Sequence, residues 1–375
     1  MAGIYLHIPF CKQACHYCDF HFSTNLKKKQ DLLTAMEQEI AMRRDELDQA
    51  AVETVYFGGG TPSILSTEEI ERLLAKVNEY HPLAPGAEIT LEANPDDLDL
   101  GKIEQLADSP INRLSIGIQS FFDTDLKLMH RAHNANEAKT CLEQVSRFFE
   151  NNSIDLIYGI PGADDAQWLD NIEMALAFGM PHISSYALTV EPKTALKTFI
   201  DKGVVPDVDD EQAHRQFHLM VDRLEKEGYV HYELSNFGKP GFFSKNNSAY
   251  WQGKPYLGIG PSAHSFDGQR RAWNLRNNPT YVKKIQAGEL PLTYETLSTA
   301  DRYNEYVMTG LRTIWGVSSD MVISRFGQSY AQHLEVTAKR HIAEGLLFWD
   351  GDVLHVTKKG KFLADGLASD LFKLN

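Results

Sequence analysis

Near its amino terminus the chain reads Ile4-Tyr5-Leu6-His7-Ile8-Pro9-Phe10-Cys11-Lys12-Gln13-Ala14-Cys15-His16-Tyr17-Cys18. The apolar run at residues 4–8 has the length and composition of a buried strand. A loop follows it and carries three cysteines in a C-x3-C-x2-C array. The pattern therefore predicts a strand whose carboxyl end presents three thiols on one short loop.

The three cysteines indicate metal chemistry. Thiolates are the usual ligands of iron–sulfur clusters, and three of them hold three corners of a [4Fe–4S] cube while the fourth iron stays open. A chain of 375 residues with four cysteines is not a disulfide scaffold. Zinc is the rival metal, and His16 or His21 would supply the fourth ligand of a closed zinc site. We expect Cys141, in an amphipathic helical pattern, to pack as a small buried side chain.

Composition and charge limit the class of function. Hydrophobic residues make up 43% and charged residues 23% of the chain, as in a globular protein with a substantial core. The formal net charge of −14 argues against a nucleic-acid partner. The sequence has neither a run of 18 or more apolar residues nor a secretory leader pattern. We therefore expect a soluble, cytoplasmic protein.

The rest of the chain alternates short apolar runs with helical periodicity, which predicts repeated βα units around a parallel sheet. Strands are predicted at residues 4–8, 54–57, 88–92, 113–118, 153–158 and 183–188, with an extra strand at 230–234. A capping box, Ser66-x-x-Glu69, predicts the start of a helix after the second strand. Helices at 300–312, 330–344 and 358–370, with a hairpin around Asp350-Gly351, predict a carboxyl-terminal domain that resembles a winged helix.

Several conspicuous residues lie at the ends of the predicted strands, where the functional loops of such folds are found. Gly58-Gly59-Gly60-Thr61-Pro62 follows the second strand, Glu92 ends the third and Gln119 ends the fourth. The glycines allow close approach of a ligand to the backbone, or form an ordinary strand-to-helix turn.

Two acidic residues and one arginine have both a structural and a functional interpretation. Glu92 and Asp155 lie in apolar strands, where an unpaired charge is costly. They are either satisfied core carboxylates or binders of cationic and hydroxyl groups. Arg131 is suited to binding a carboxylate because its planar fork pairs bidentately, and an ordinary surface arginine is the alternative.

Together these segments resemble the radical S-adenosylmethionine (radical SAM) superfamily, in the branch of oxygen-independent coproporphyrinogen III oxidases and HemW-type heme chaperones. The resemblance covers nearly the whole chain. It includes residues 4–20, 56–63, 92–95, 115–120, 155–162, 186–188 and 258–265. It implies an α/β fold with a radical SAM partial (β/α)6 barrel at 1–235, a loop-rich connection at 236–298 and a smaller domain at 299–375.

The resemblance also implies the cofactors and their contacts. Cys11, Cys15 and Cys18 would ligate a [4Fe–4S] cluster, and the amino and carboxylate groups of SAM would chelate the open iron. Reduction by a donor such as flavodoxin or ferredoxin would cleave SAM to methionine and a 5′-deoxyadenosyl radical. The positions that match SAM contacts in this branch are Tyr5, Tyr17, Gly59, Gly60, Thr61, Glu92, Gln119, Arg131 and Asp155.

Within this branch, two departures favour the chaperones. The oxidases typically have a fourth cysteine two residues after the third, where this chain has Phe20, and an extension before the first strand. We therefore expect a protein that binds heme and delivers it to acceptor proteins, membrane-associated ones among them. The alternatives are an oxidase that converts coproporphyrinogen III to protoporphyrinogen IX and a radical SAM enzyme with an unrelated small substrate.

The heme ligand is less clearly indicated. The chaperones usually carry H-N-x-x-Y-W, whereas this chain reads Asn246-Asn247-Ser248-Ala249-Tyr250-Trp251. A neutral amide is a poor axial ligand, so we expect another residue to serve. His264 is the first candidate, with a structural role as its alternative, and His7 and His16 are the others. Tyr250 and Trp251 either stack on the macrocycle or seal the barrel against the next domain, which we favour.

Overall fold

The computed structural model describes residues 2–48 and 50–374. Six neighbouring parallel strands form its centre and confirm the predicted βα repeat. They are β1 (Ala2–Ile8), β2 (Val52–Gly59), β3 (Leu83–Ala93), β4 (Arg113–Gln119), β5 (Asn152–Tyr158) and β6 (His182–Ala187). Their apolar residues are buried on both faces of the sheet, as expected of a parallel sheet covered by helices.

Helices connect these strands and extend beyond them. They are α1 (Lys29–Met42), α2 (Thr67–Tyr80), α3 (Leu100–Ala107), α4 (Asp123–Leu128), α5 (Ala135–Val145), α6 (Asp165–Ala177), α7 (Ala195–Asp201) and α8 (Asp210–Lys226). The predicted capping box of α2 is present: Ser66 Oγ accepts from Glu69 N at 3.2 Å, and Glu69 Oε2 accepts from Ser66 N at 2.8 Å. Cys141 is buried in α5, as predicted.

The span 236–298 differs from the loop-rich connection that the sequence predicted. Its elements are β8 (Asn236–Gly238), α9 (Lys245–Trp251), β9 (Tyr256–Ile259), β10 (His264–Phe266), β11 (Arg270–Asn274), α10 (Asn278–Gln286) and β12 (Leu292–Thr296), and β7 (Val230–Glu233) precedes them. The four strands β9 to β12 are only three to five residues long, which is too short for a clear alternation in the sequence.

The strands β9 to β12 extend the central sheet at one edge, and β8 and β7 extend it at the other. Its order is β12-β11-β10-β9-β1-β2-β3-β4-β5-β6-β8-β7. β9 pairs with β1 in parallel, whereas β10, β11 and β12 continue in antiparallel pairs. The span 236–298 therefore builds a wall of strands beside β1, next to the loop with the three cysteines.

The carboxyl-terminal region has a hydrophobic core of its own, which includes Tyr303, Val307, Leu334, Leu354 and Leu367. Its elements are α11 (Thr299–Leu311), β13 (Val317–Ser318), α12 (Ser319–Phe326), α13 (Gln328–Ala343), β14 (Leu347–Asp350), β15 (Val353–Val356) and α14 (Ala364–Asp370). The predicted hairpin is present as β14 and β15. The sequence missed the short α12, and the predicted helix at 358–370 is a 3-10 helix, Lys358–Leu363, followed by α14.

None of the helices within the described ranges has the length and apolar character that a membrane crossing requires.

Candidate functional site

The cysteine loop leaves the carboxyl end of β1 and is fastened to the segment that follows α4. His16 N donates to Met129 O at 3.0 Å, and His16 Nδ1 bonds to Leu128 O at 2.9 Å. His130 Nδ1 bonds to Ala14 O at 2.9 Å, and its ring stacks on His16 with 4.6 Å between centroids. These contacts, at Ala14 and His16, fix the loop on both sides of its second cysteine, Cys15.

The cysteine loop does not form the closed zinc site that the sequence allowed as an alternative. His16 is engaged with Leu128, and His21 Nε2 bonds to Asn278 Oδ1 at 2.7 Å. Across residues 2–48 and 50–374, no three His, Cys, Asp or Glu side chains converge on a position for a single metal ion. Cys11, Cys15 and Cys18 instead line a cavity of about 590 Å³, which we call the cluster cavity.

The cluster cavity brings together eight of the nine predicted SAM contacts. Its lining includes Tyr17, Gly59, Gly60, Thr61, Glu92, Gln119, Arg131 and Asp155, besides the three cysteines. The exception is Tyr5, which lines a neighbouring cavity and has its hydroxyl 3.3 Å from His7 Nδ1. The volume lies in the usual range for small-ligand sites.

The glycine run brings the end of β2 against the cysteine loop. Gly60 N donates to Ile8 O at 2.9 Å, and Thr61 N donates to Phe10 O at 2.7 Å. A Cβ at Gly60 would lie 2.5 Å from Phe10 O, and Gly59 has a φ of 114°, which L side chains rarely adopt. Both glycines are therefore required by the backbone packing that holds the cysteine loop in place.

Arg131 is not a surface arginine. Its Nη1 donates to Cys15 Sγ at 3.4 Å, and its Nη2 donates to Asn94 Oδ1 at 2.7 Å and to Gly117 O at 2.9 Å. Its Nε is buried and has no hydrogen-bond partner among the described residues. Because a buried donor without a partner is costly, this N–H suits an anionic group placed in the cavity.

Two carboxylates stand in the same cavity with raised pKa values. Tyr56 donates to Glu92 Oε1 at 2.8 Å and Gly59 N donates to Oε2 at 3.2 Å, yet burial raises the pKa of Glu92 to about 7. Burial also raises the pKa of Asp155 to about 6, although the Arg131 charge and the Ser115 hydroxyl oppose the shift. A cationic or hydroxyl-bearing ligand would stabilise both charged forms.

Gln119 ends β4 in an unusual conformation. Its φ is 67°, and the pairing of β4 with β5 shifts register between Ile116 and Gln119. Such irregularities are concentrated at ligand sites, where they redirect a side chain.

The thiols themselves fit a cluster. All three are free, and burial raises the pKa of Cys11 to about 11, with a further increase from Cys15 and Cys18. Bound iron would stabilise the thiolates that burial disfavours. Three thiols, an unpartnered arginine N–H and two carboxylates in one cavity thus match the donor set that a [4Fe–4S] cluster and SAM need.

A second and larger cavity of about 970 Å³ adjoins the first. We call it the aromatic cavity because its walls include Tyr5, Tyr56, Tyr186, Tyr250, Trp251, Tyr256 and Trp273. Asp19, Phe20, Glu92 and Tyr186 line both cavities. Arg271, Arg276 and Lys254 place three cationic groups in its walls, beside the carboxylates of Asp19, Glu92, Glu233 and Glu295. The aromatic cavity therefore suits a flat apolar ligand whose own carboxylates reach those cations.

The predicted heme contacts His264, Tyr250 and Trp251 all line the aromatic cavity. His264 lies 6.0 Å from the Trp273 ring, between centroids, and burial lowers its pKa, with a contribution from Arg271. The two nitrogens of His7 are occupied by His21 O at 3.1 Å and the Tyr5 hydroxyl at 3.3 Å. His7 and His16 are therefore poor candidates, whereas His264 has no side-chain hydrogen bond within the described part of the chain.

Sequence reasoning missed Arg271, Trp273 and Arg276 as wall residues. Arg271 and Trp273 alternate along β11, so both side chains leave the strand on one face. That alternation in Arg270-Arg271-Ala272-Trp273 was the available signal, but the strand itself was not predicted.

Both family models and curated relatives match this chain. The family model for the radical SAM superfamily matches residues 5–185, and the model for the HemN C-terminal domain matches residues 297–363. The chain is 33% identical over 370 residues to the heme chaperone HemW of Bacillus subtilis (strain 168), covering 97% of each chain. It is 31% identical to the heme chaperone HemW of Escherichia coli (strain K12), covering 97% of this chain and 96% of that protein.

A solved structure shares the fold. The coproporphyrinogen III oxidase (HemN) from Escherichia coli superposes with a TM-score of 0.86, covering 99% of this chain and 90% of that one. Its sequence identity of 22% is too low to carry an argument about activity.

Proposed function

Because this chain belongs to the HemW family within the radical SAM superfamily, we propose that it is a heme chaperone that binds heme in the aromatic cavity and passes it to acceptor proteins. The observation that supports this most strongly is the chemistry of that cavity. Its volume of about 970 Å³, its aromatic walls and its two arginines suit a tetrapyrrole with propionate groups.

The family's cofactors are a [4Fe–4S] cluster and SAM, and we assign them to the cluster cavity. Cys11, Cys15 and Cys18 would hold the cluster. Arg131 Nε is free to donate to the carboxylate of SAM, and Glu92 and Asp155 suit its amino and hydroxyl groups. When bound, these cofactors supply reductive cleavage of the sulfonium. The other predicted contacts are Tyr5, Tyr17, Gly59, Gly60, Thr61 and Gln119, and Tyr5 would act from the side of the aromatic cavity.

For heme we assign His264 as the axial ligand. Its lowered pKa keeps the imidazole neutral near pH 7, as an iron ligand must be. Tyr250 and Trp273 offer faces for stacking, and Arg276 offers a guanidinium for a propionate. Arg271 is paired with Glu305 at 2.8 Å and would exchange that carboxylate for a propionate. The Arg312 guanidinium of the carboxyl-terminal domain lies 5.5 Å from the centre of the Trp251 ring, which supports a second role for Trp251 in sealing the cavity against that domain.

The remaining partners follow from the same assignment. We expect heme-acceptor proteins, membrane-associated ones among them, and an electron donor such as flavodoxin or ferredoxin. We place the protein in the cytoplasm, because three clustered free thiols persist in a reducing compartment.

The proposal is tested with anaerobically reconstituted protein. Titration with hemin is expected to give a shifted Soret band, and mixing the loaded protein with apomyoglobin is expected to transfer the heme. His264→Ala should weaken hemin binding by roughly tenfold or more, since an axial ligand bond is lost. His218→Ala, a histidine on α8 outside the aromatic cavity, is the matched control.

A second incubation separates the chaperone from the oxidase. When the protein is incubated with coproporphyrinogen III, SAM and a reductant, we expect no formation of product, because Phe20 stands where the oxidases carry a cysteine. Formation of protoporphyrinogen IX would overturn the chaperone assignment, and so would the absence of any hemin-dependent Soret change.

A further inference from the structure

A third cavity lies between the central sheet and the carboxyl-terminal domain. Its volume is about 580 Å³, and we call it the interdomain cavity. Aromatic rings from both sides form its walls, among them Tyr256 and Phe266 from the sheet and Tyr306 and Trp315 from the terminal domain. Neither the predicted SAM contacts nor the cysteines line it. The cluster and SAM assignments therefore do not use this cavity, although Tyr250, Trp251 and Arg271 line it as well as the aromatic cavity.

The arginines of this cavity fall into two groups. Arg271 pairs with Glu305 at 2.8 Å, and Arg312 pairs with Asp365 at 2.6 Å. Arg302 and Arg325, by contrast, have no salt bridge to any carboxylate in the described part of the chain, although the chain carries a formal charge of −14. Arg302 is half-buried and Arg325 is exposed, and Glu295, Asp301 and Glu305 also line the cavity. The two guanidinium groups without acidic partners are therefore the positions at which an external anion would bind.

The surroundings of these two guanidinium groups favour the same conclusion. Arg302 Nε is buried without a partner, and its Nη2 has only a long contact of 3.5 Å to Thr299 Oγ1. The Arg325 guanidinium lies 5.4 Å from the centre of the Tyr306 ring and 5.2 Å from that of Phe326. A ligand that offers carboxylates beside a flat apolar body would satisfy the free N–H groups and cover the rings.

The interdomain cavity adjoins the aromatic cavity. Tyr250, Trp251, Tyr256, Arg271 and Glu295 line both. A ligand that leaves the aromatic cavity past these residues enters the interdomain cavity with stacking partners on its path. No histidine or cysteine stands among the described residues that line the interdomain cavity, so it offers iron neither of those ligands.

We propose that the interdomain cavity is a second tetrapyrrole position, in which Arg302 and Arg325 bind the propionates and heme rests without a histidine ligand before it is handed to an acceptor. This inference rests on the heme-binding function proposed above. A position held by charge and stacking alone is weaker than one with an iron–histidine bond. That difference suits a transfer step, because heme leaves the weaker position more readily.

The test is a hemin titration of the full, cluster-loaded chain, followed optically and by calorimetry. We expect two phases: a tight one with a histidine-ligated spectrum and a weaker one without it. Arg302→Gln/Arg325→Gln should weaken the second phase at least tenfold and leave the first unchanged. Metal-free protoporphyrin IX should compete for the second phase only, because that position does not use the iron.

Three controls keep the outcome interpretable. Arg325→Gln alone changes an exposed side chain and should give a smaller loss in the second phase without affecting folding. Arg72→Gln/Arg340→Gln removes two arginines outside the interdomain cavity and should change neither phase. Transfer of heme to apomyoglobin should slow roughly tenfold in Arg302→Gln/Arg325→Gln, since the weaker position is lost.

A single equivalent of hemin per chain would overturn the second position while leaving the proposed function intact. So would a second phase that persists unchanged in Arg302→Gln/Arg325→Gln. If the wild-type chain binds no hemin, the proposed function itself fails and this inference fails with it.

Discussion

At the scale of single residues, Gly60 shows how much the cluster cavity depends on one missing side chain. The backbones of Gly60 and Phe10 are so close that a Cβ at position 60 would lie 2.5 Å from Phe10 O and 2.8 Å from Phe10 N. Phe10 immediately precedes Cys11, so any displacement of its backbone moves the first thiol.

We predict that Gly60→Ala lowers the free energy of unfolding by roughly 1–3 kcal/mol, the usual cost of overpacking. Iron and sulfide content after reconstitution should fall toward that of Cys15→Ala, a variant that lacks one of the three proposed cluster ligands. Urea unfolding and metal analysis measure the two effects. Gly366→Ala is the control, because no atom lies within 4 Å of its added methyl group and α14 is helical there. Full cluster content in Gly60→Ala would show that the packing is not required.

Glu92 makes a pH-dependent prediction at the same scale. Burial raises its pKa in the folded protein to about 7, against an ordinary value of 4.5. Below pH 4.5 the group is protonated in both states, and as the pH rises toward 7 the folded state loses stability relative to the unfolded state. The cofactor-free protein therefore carries the full cost of this carboxylate above pH 7.

Glu92→Gln should remove that cost. In the cofactor-free protein its stability relative to wild type should increase by roughly 1–2 kcal/mol between pH 5 and pH 8, since one pKa unit is worth about 1.4 kcal/mol and water in the cavity screens part of it. Urea unfolding at the two pH values measures this. Glu71→Gln, an exposed position on α2, should show no such trend. A difference that stays constant with pH would refute the explanation.

At the scale of elements, a buried cluster of polar groups attaches the span 236–298 to the core. Glu39 Oε1 accepts from Arg43 Nη1 at 2.9 Å and from Asn274 Nδ2 at 2.7 Å. Glu39 Oε2 accepts from Gly260 N at 2.8 Å and from the Tyr281 hydroxyl at 2.5 Å. One carboxylate on α1 thus binds the end of β9, the end of β11 and α10.

Glu39→Gln should lower the free energy of unfolding by roughly 1–3 kcal/mol, because buried donors lose a charged acceptor, while Arg43 keeps its pair with Glu46 at 2.7 Å. Hemin affinity should fall as well, since β11 carries Arg271 and Trp273. Glu37→Gln breaks the more exposed pair with Arg72 and should cost at most about 1 kcal/mol. Equal losses in the two variants would contradict the role assigned to Glu39.

The elements also show where sequence reasoning works. The strands β1 to β6 were predicted because each is an apolar run buried on both faces. The carboxyl ends of β3 and β4 place Glu92 and Gln119 beside the cysteines, and Asp155 reaches the same cavity from within β5. The strands β9 to β12 were not predicted, since their existence depends on pairing with β1 rather than on their own short sequences. The sequence consequently could not predict the wall that contains Arg271 and Trp273. It also could not predict that Tyr5 lines the aromatic cavity rather than the cluster cavity.

At the scale of the whole molecule, the three cavities adjoin one another in a series. Glu92, Tyr186, Phe20 and Asp19 separate the cluster cavity from the aromatic cavity, and Tyr250, Trp251 and Tyr256 separate the latter from the interdomain cavity. Phe20 is 69% and Tyr186 46% exposed, so these shared walls are ordered by few contacts of their own. A ligand in one cavity has to restrict the motion of these side chains before the wall of the neighbouring cavity is complete.

This arrangement predicts coupling between SAM and heme. The first ligand restricts Phe20 and Tyr186, and the second then binds to a wall that is already ordered. In cluster-loaded protein, saturating SAM should tighten hemin binding about fivefold, and by reciprocity hemin should tighten SAM binding by the same factor. Calorimetric titration of each ligand with and without the other measures both factors. Tyr186→Ala should reduce the coupling, whereas Tyr294→Ala, an exposed tyrosine on β12 outside both cavities, should preserve it. Equal hemin affinity with and without SAM would show that the shared wall does not couple the two binding sites.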